Sequence, residues 1–222
     1  MRTVKFRNSE KTEVVGKIVC VGQNYADHIA EMGGEKPDFP VVFLKPTSAL
    51  IYSGGEIIHP SYSNNLHHEA ELVLLIGNKV KNASKEEAEA AIAGYTIGLD
   101  MTLRDLQKQY KDKGQPWTIS KSFDTSAVVA EIIPTEERPL EGDENILLKV
   151  NNETRQDCST SKLIYNPVEV VQYLSSMLTL EKGDLIFTGT PSGVSKVVPG
   201  DNIYAELSCL VHLDAKVVSD EN

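Results

Sequence analysis

The chain has few cysteines, no excess of positive charge and no long apolar run, and each absence excludes a class of protein. Its three cysteines lie far apart at positions 20, 158 and 209 and form no Cys-X-X-Cys pair. This usage argues against a disulfide framework and favours a reducing compartment. With 22 Lys and Arg against 32 Asp and Glu, the net charge is −10, which argues against nucleic acid or an anionic membrane as the main partner.

No apolar run approaches the ~20 residues that a membrane-spanning helix needs. The first six residues, MRTVKF, contain no apolar signal-peptide core and are not an Arg-rich transit sequence. We therefore expect a cytoplasmic protein with no membrane partner. Neither a linker nor a low-complexity segment interrupts the 222 residues, so we expect a single domain over residues 1–222, rich in short strands and with about four helices.

The stretch HHEAELVLLIG at residues 67–77 has the pattern of a strand. Glu69 and Glu71 would point to the same side, about 6–7 Å apart along the strand. Two carboxylates at this spacing repel each other and are costly to desolvate. A hard divalent cation such as Mg²⁺ or Mn²⁺ would remove both costs, because it prefers oxygen ligands. The alternative is a solvated strand end with two exposed glutamates.

Asp100 follows a predicted strand over residues 95–99, and a predicted helix with Thr102 as its N-cap comes next. A rigid strand would aim the Asp100 carboxylate well enough to make it a ligand. Arg104 lies in the first helical turn, where a cation opposes the helix macrodipole, so another use for it is plausible. Ordinary surface positions are the alternative for both residues.

His28 and Glu31 are three residues apart on a short helix that Asn24 would cap. A carboxylate that sets the tautomer of a histidine suits a general base, and flanking glycines and prolines favour a mobile segment. A chance pair on a surface helix is the alternative. Lys121, among small and aromatic residues, is either partly buried near an anion or a snorkelling surface lysine.

Gly189 and Thr190 begin a loop of small residues after an apolar strand. Such a loop lets backbone N–H groups and a threonine hydroxyl approach a ligand carboxylate. It is not a P-loop, because the Gly-Lys-Ser/Thr ending is absent.

Five blocks along the chain together resemble one family. In order they are VCVGQNYADHIAEMG, HHEAELVLLIG, GYTIGLDMTLRDLQ, KGQPWTISKSFD and GDLIFTGTPSGV. They resemble the fumarylacetoacetate hydrolase family, and most closely its short acylpyruvate hydrolase branch, over about residues 15 to 215. The resemblance implies an α+β fold, a mixed β-sandwich or β-roll with outer helices, together with Mg²⁺ or Mn²⁺ and a homodimer.

The resemblance also implies roles for nine residues. The metal ligands would be Glu69, Glu71 and Asp100. The catalytic group would be His28 and Glu31, a dyad on a lid, with Lys121. The substrate contacts would be Arg104, Gly189 and Thr190.

The expected reaction is metal-dependent hydrolysis of the C3–C4 bond of an acylpyruvate, a small anionic 2-oxo acid, to pyruvate and a carboxylic acid. The dyad and lid favour it because they suit water activation. The same site would also support oxaloacetate decarboxylation, a lyase reaction, or keto–enol tautomerisation of oxaloacetate. Isomerisation or hydration of 2-oxo-diene acids is a further alternative. A non-catalytic binding protein on the same fold is the alternative of another class, but no ligand or dyad residue is missing.

Overall fold

The protein is built mainly from short strands, in a computed structural model that describes residues 1–220 except 32, 34 and 36. The last two residues of the expected domain therefore lie outside the described residues. The strands are β1 (Thr3–Lys5), β2 (Thr12–Val14), β3 (Ile18–Gly22), β4 (Val41–Lys45), β5 (Leu50–Tyr52), β6 (Glu56–His59), β7 (Leu66–His67), β8 (Ala70–Ile76), β9 (Ile92–Asp100), β10 (Thr102–Leu103), β11 (Ala127–Val129), β12 (Ile133–Pro134), β13 (Asn145–Val150), β14 (Glu153–Ser159), β15 (Leu185–Phe187), β16 (Lys196–Val197), β17 (Asn202–Leu207) and β18 (Val211–Ser219).

Five α-helices lie in the described part of the chain: α1 (Ala26–Glu31), α2 (Lys85–Ala91), α3 (Arg104–Asp112), α4 (Thr118–Lys121) and α5 (Pro167–Met177). Ser84 caps α2 and Asn166 caps α5, each in a capping box with a glutamate three residues later. None of the described helices is long and apolar enough to cross a membrane.

Two mixed sheets form the body of the molecule. The larger has the order β4-β3-β15-β8-β9-β11-β5, with β12 also paired to β9, and the smaller has the order β14-β13-β17-β18-β6. The sheets pack face to face, with β13 against β8 and both β17 and β18 against β9. Among the strands named above, in the part of the chain that the structure describes, three pairs are parallel and the others antiparallel. This confirms the expected mixed sandwich with helices outside.

Strand β8 lies between two parts of the core, and all seven of its residues are buried. Leu72 and Leu74 belong to the core between the two sheets, whereas Val73 and Leu75 pack on the other side with Phe187. This is the predicted period-two alternation. Because both faces are covered, the strand end that carries the two glutamates is not a solvated one.

The register of β8 with β9 places Asp100. Glu71 pairs with Gly98, and the Asp100 N–H donates to the Glu69 carbonyl at 2.9 Å. Gly98 permits this pairing, since a Cβ there would lie 2.7 Å from a Val73 methyl carbon and 2.9 Å from the Val128 carbonyl oxygen. The third carboxylate is therefore beside the first two, although about thirty residues separate them in the chain.

Two predicted helix starts were wrong. Thr102 does not cap α3: it pairs with His67 in strand β10, and α3 begins at Arg104 with no side-chain cap. The backbone of Thr102 and Leu103 pairs with β7, so these two residues cannot form the first turn of a longer α3. Asn24 does not cap α1 either, because its amide group binds the backbone of Tyr165 and the Thr188 carbonyl.

Candidate active site

Three buried carboxylates converge where β8 and β9 meet. Glu69, Glu71 and Asp100 each offer an oxygen, and these oxygens lie within 4.8 Å of one another. The side chains are almost fully buried, with residue exposures of 5%, 2% and 1%. Burial, followed by the charges of Asp100 and Glu69, raises the pKa of Glu71 well above its usual range.

Two of the three carboxylates are neutralised by cations, of which Lys45 and Lys121 are buried and Arg104 is partly buried. Lys121 Nζ lies 2.7 Å from Glu69 Oε2 and 2.6 Å from Asp100 Oδ2. Arg104 Nη2 lies 2.5 Å from Glu69 Oε1, and Lys45 Nζ lies 2.8 Å from Asp100 Oδ1. Burial tends to raise the pKa of Glu69, but Lys121 and Arg104 outweigh it and hold that pKa below its usual range.

The arrangement fits a hard divalent cation. Among the described residues, Glu71 makes no ion pair, and its Oε2 accepts one hydrogen bond from the Gly189 N–H at 2.7 Å. Asp100 Oδ1 is buried without a hydrogen-bond partner in the same part of the chain, since the nearby Lys45 ammonium is out of hydrogen-bond geometry. Three carboxylates whose oxygens lie this close together, one of them without an ion pair among the described residues, are the donor set that Mg²⁺ and Mn²⁺ prefer.

His28 of the predicted His–Glu pair lies at the same cavity as two of these carboxylates. His28 Nδ1 lies 3.1 Å from Glu31 Oε2, and His28 is only 7% exposed. The Gly193 N–H donates to both Glu31 carboxylate oxygens, at 3.1 and 3.2 Å, and so ties the pair to the loop after β15. His28, Glu69 and Glu71 line one cavity. Because the carboxylate holds Nδ1, Nε2 is the ring nitrogen left for a water molecule.

Lys121 is the last residue of α4 and is 3% exposed, so it does not snorkel to the surface. Burial lowers its pKa, but Asp100 and Glu69 outweigh burial and raise it. Its Nζ also lies 4.9 Å from the centre of the Phe43 ring. The prediction of a buried lysine near an anion is confirmed, and the anions are two of the candidate metal ligands.

The groups predicted to contact substrate in the 189–190 loop are engaged within the protein. The Gly189 N–H binds Glu71, as described above, and its φ of +106° suits glycine. The Thr190 hydroxyl donates to the Ala70 carbonyl at 2.9 Å and accepts from Gln156 Nε2 at 2.8 Å. Contacts of Gly189 and Thr190 with substrate therefore stay predictions.

Two buried residues of the site were missed from sequence. Lys45 ends β4 with 2% exposure, and its Nζ contacts Asp100 and donates to the Lys121 carbonyl. Its position at the end of an apolar strand is a sequence feature that could have predicted a buried lysine. Gln156 on β14 is 1% exposed and joins Thr190 to the Ala70 N–H. The polar sequence of its strand, ETRQDCS, gives no indication that Gln156 is buried.

The cavity at the triad has a volume of ≈ 60 Å³, well below the about 300–1,000 Å³ of typical small-molecule sites. A larger cavity of ≈ 1000 Å³ lies next to it and shares Phe43, Trp117 and Lys121 as walls. The cavity at the triad is therefore smaller than a typical substrate site, and the larger cavity adjoins it.

Comparison with known proteins assigns the chain to a family. The model of the fumarylacetoacetate hydrolase C-terminal domain matches residues 17–218. The chain belongs to the fumarylacetoacetate hydrolase family. Among curated relatives, the mitochondrial oxaloacetate tautomerase FAHD1 of Bos taurus is 43% identical over 204 residues, which cover 92% of each chain. The oxaloacetate tautomerase YcgM of Escherichia coli K12 is 43% identical over 190 residues, covering 85% of this chain and 87% of that protein.

A solved structure gives the same assignment. The crystal structure of fumarylpyruvate hydrolase from Pseudomonas aeruginosa, in complex with Mn²⁺ and pyruvate, superposes with a TM-score of 0.95 and 38% identity. The match covers 99% of this chain and 96% of that one. The fold and the family predicted from the sequence blocks are therefore confirmed.

Proposed function

We propose that this member of the family is a divalent-metal-dependent hydrolase that cleaves acylpyruvates to pyruvate and a carboxylic acid. The observation that carries the proposal is the position of His28, which is paired with Glu31 and lines the same cavity as Glu69 and Glu71. A site for a cation and a base for water activation are then both present. A Mn²⁺ and pyruvate complex of a fumarylpyruvate hydrolase with the same fold supports this choice.

Glu69, Glu71 and Asp100 would hold Mg²⁺ or Mn²⁺, which supplies Lewis-acid stabilisation of negative charge on the 2-oxo group. Lys121 lies against two of these carboxylates at the cavity wall. It places a fixed positive charge where the pyruvate enolate develops, and such preorganised charge is usually the largest catalytic contribution. Arg104, which binds Glu69, adds a second cation beside the 2-oxo acid.

In the proposed cleavage, His28 is the general base. His28 Nε2 takes a proton from water, and the hydroxide oxygen bonds to the C4 carbonyl carbon. The π electrons of that carbonyl move to its oxygen and return to C4 as the C3–C4 bond breaks. The C3–C4 bond then breaks, and its electron pair stays on C3 as the enolate of pyruvate. A proton returned to C3 completes pyruvate, and C4 leaves as a carboxylic acid. Glu31 orients the imidazole and stabilises the imidazolium between the two proton transfers.

Oxaloacetate keto–enol tautomerisation is the second candidate. It is favoured by the two relatives named oxaloacetate tautomerase, at 43% identity. The reaction needs only a base and an acid at C3 and at the 2-oxo oxygen, which His28 and Lys121 would provide. Oxaloacetate decarboxylation forms the same enolate by loss of CO₂.

A substrate panel with added Mg²⁺ tests the proposal. We expect pyruvate release from acylpyruvates to exceed both pyruvate release from oxaloacetate and the enol–keto conversion of oxaloacetate, followed by its ultraviolet absorbance. Faster tautomerisation with no acylpyruvate cleavage would replace hydrolysis by the second candidate. Metal binding with no turnover of any 2-oxo acid would instead favour a binding protein on this fold. A cytoplasmic location stays a prediction.

We also propose a homodimer. Strand β4 is an edge of the larger sheet, and Val42 and Leu44 on it are 37% and 52% exposed, beside Phe39 at 68%. Apolar side chains on an open edge strand need a cover, and a second copy would provide one. Light scattering at micromolar concentration should therefore give twice the 24.4 kDa chain mass. A species of single-chain mass alone would contradict the proposal.

A further inference from the structure

The loop between β15 and β16 reaches both the carboxylate triad and the His28–Glu31 pair. Residues 188–195, all of which the structure describes, form no strand. Near the start of the loop, the Gly189 N–H donates to Glu71 Oε2 at 2.7 Å. Further along, the Gly193 N–H donates to both Glu31 carboxylate oxygens, at 3.1 and 3.2 Å. One segment therefore orients a candidate metal ligand and also the partner of the candidate base.

A single buried amide, that of Gln156 on β14, fixes this loop against strand β8. Its Nε2 donates to the Thr190 hydroxyl oxygen at 2.8 Å and to the Pro191 carbonyl at 2.9 Å. Its Oε1 accepts from the Ala70 N–H at 3.0 Å. The Pro191 carbonyl can only accept and the Ala70 N–H can only donate, so these partners determine which way the amide points. Gln156 therefore joins the loop to the residue that separates the two glutamates of the triad.

The amide is itself held by a buried histidine. His68 Nδ1 lies 3.2 Å from Gln156 Oε1, and His68 Nε2 lies 2.9 Å from Ser195 Oγ. Because Gln156 Oε1 can only accept, Nδ1 of the ring carries a proton. Between these anchors Gly193 packs so closely on β14 that a Cβ there would overlap the Arg155 carbonyl oxygen. The loop is thus fixed near both of its ends by one connected set of hydrogen bonds.

We propose that Gln156 is a positioning residue for the active site and acts through this loop. It keeps the Gly189 N–H on the Glu71 carboxylate, which makes no ion pair within the described residues. It also keeps the Gly193 N–H on Glu31 and so holds the partner of the candidate base in place. The role at Glu31 rests on the proposed hydrolase function, whereas the role at Glu71 requires only that the triad binds a cation.

Replacing Gln156 with methionine, which has a similar size and no amide, tests the role at Glu71. Mg²⁺ affinity measured by calorimetry should decrease by about 10-fold, since loss of a group that orients a metal ligand commonly costs about 10–100-fold. The rise in melting temperature on adding Mg²⁺ should also become smaller. Each rise is measured against the metal-free form of the same variant, so a general loss of stability does not contribute. Gln156→Asn shortens the side chain by one carbon and should change both quantities in the same direction if Gln156→Met does not fold.

Thr160→Val is the matched control. Thr160 follows β14 directly and is also buried, but its hydroxyl donates to Glu144 Oε2 at 3.2 Å and not to the loop. This variant removes a buried hydrogen bond, so it should lower the melting temperature and keep the Mg²⁺ affinity. Wild-type Mg²⁺ affinity in both Gln156 variants, whatever their stability, would overturn the proposal.

A double-mutant cycle with Glu31→Ala tests the role at the His28–Glu31 pair. At saturating Mg²⁺, Gln156→Met should lower kcat for an acylpyruvate by about 10-fold. The loss should be smaller in the Glu31→Ala background, because the loop then has no Glu31 carboxylate to hold. Equal losses in the two backgrounds would overturn the role at Glu31. If wild type cleaves no acylpyruvate, the proposed function fails, while Mg²⁺ affinity still reports on Gln156 and Glu71.

Discussion

Replacing Glu71 with glutamine is expected to lower turnover by more than about 100-fold. Even the loss of a residue that only hydrogen-bonds to a metal ligand commonly lowers metal affinity or activity by about 10–100-fold. Glu71 is the best of the three positions for this test. It makes no ion pair within the described residues, so the substitution leaves no buried cation without a partner. The burial and neighbouring carboxylates that raise its pKa also imply that the metal-free variant folds as well as wild type.

Stability gives a readout that is independent of turnover. A cation present at 100 times its Kd stabilises a folded protein by about 2.7 kcal/mol. In a chain of this length that corresponds to a rise of about 5–10 °C in melting temperature. We expect Mg²⁺ or Mn²⁺ to produce this rise in wild type and not in Glu71→Gln.

Glu89→Gln is a suitable control, because Glu89 is an exposed carboxylate on α2. This variant should keep both activity and the thermal shift. Unchanged Mg²⁺ affinity together with unchanged activity in Glu71→Gln would reject the triad as the metal site.

Replacing His28 with alanine is expected to reduce acylpyruvate hydrolysis by about 10²–10⁴-fold, the usual contribution of a positioned general base. Metal binding and 2-oxo acid binding should persist, because the carboxylates lie at the start of β8 and the end of β9 and not on α1. Decarboxylation of oxaloacetate needs no attacking water, so it should decrease less than hydrolysis does.

Three measurements separate the base from the cation site: hydrolysis of an acylpyruvate, decarboxylation of oxaloacetate and inhibition by oxalate. Oxalate resembles the chelating end of the substrate, so it should still inhibit His28→Ala. His212→Ala, an exposed histidine stacked on Tyr204, is the control and should behave as wild type. Full hydrolytic activity in His28→Ala would exclude His28 as the base.

Local features of the sequence predicted much of the fold correctly. The alternation over 69–76 identified β8, and Glu69 and Glu71 at its start meet in one cluster of carboxylates as expected. The capping boxes at Ser84 and Asn166 marked helix starts, and Asn151-Asn152 marked a hairpin between β13 and β14. These signals are reliable because each depends on residues only a few positions apart. The prediction of the start of α3 was wrong because pairing of Thr102 with His67, a distant residue, decided it.

The sequence by itself determined the family, the mixed sandwich and the residues that meet at the triad, since ordered blocks of motif residues carry that information along the chain. Only the tertiary structure decided which cation neutralises which carboxylate. Lys121 reaches Glu69 across 52 positions, and Lys45 reaches Asp100 from the edge of the sheet. The pairing of buried charges depends on strand register and on packing between distant segments, and no local pattern of residues encodes either.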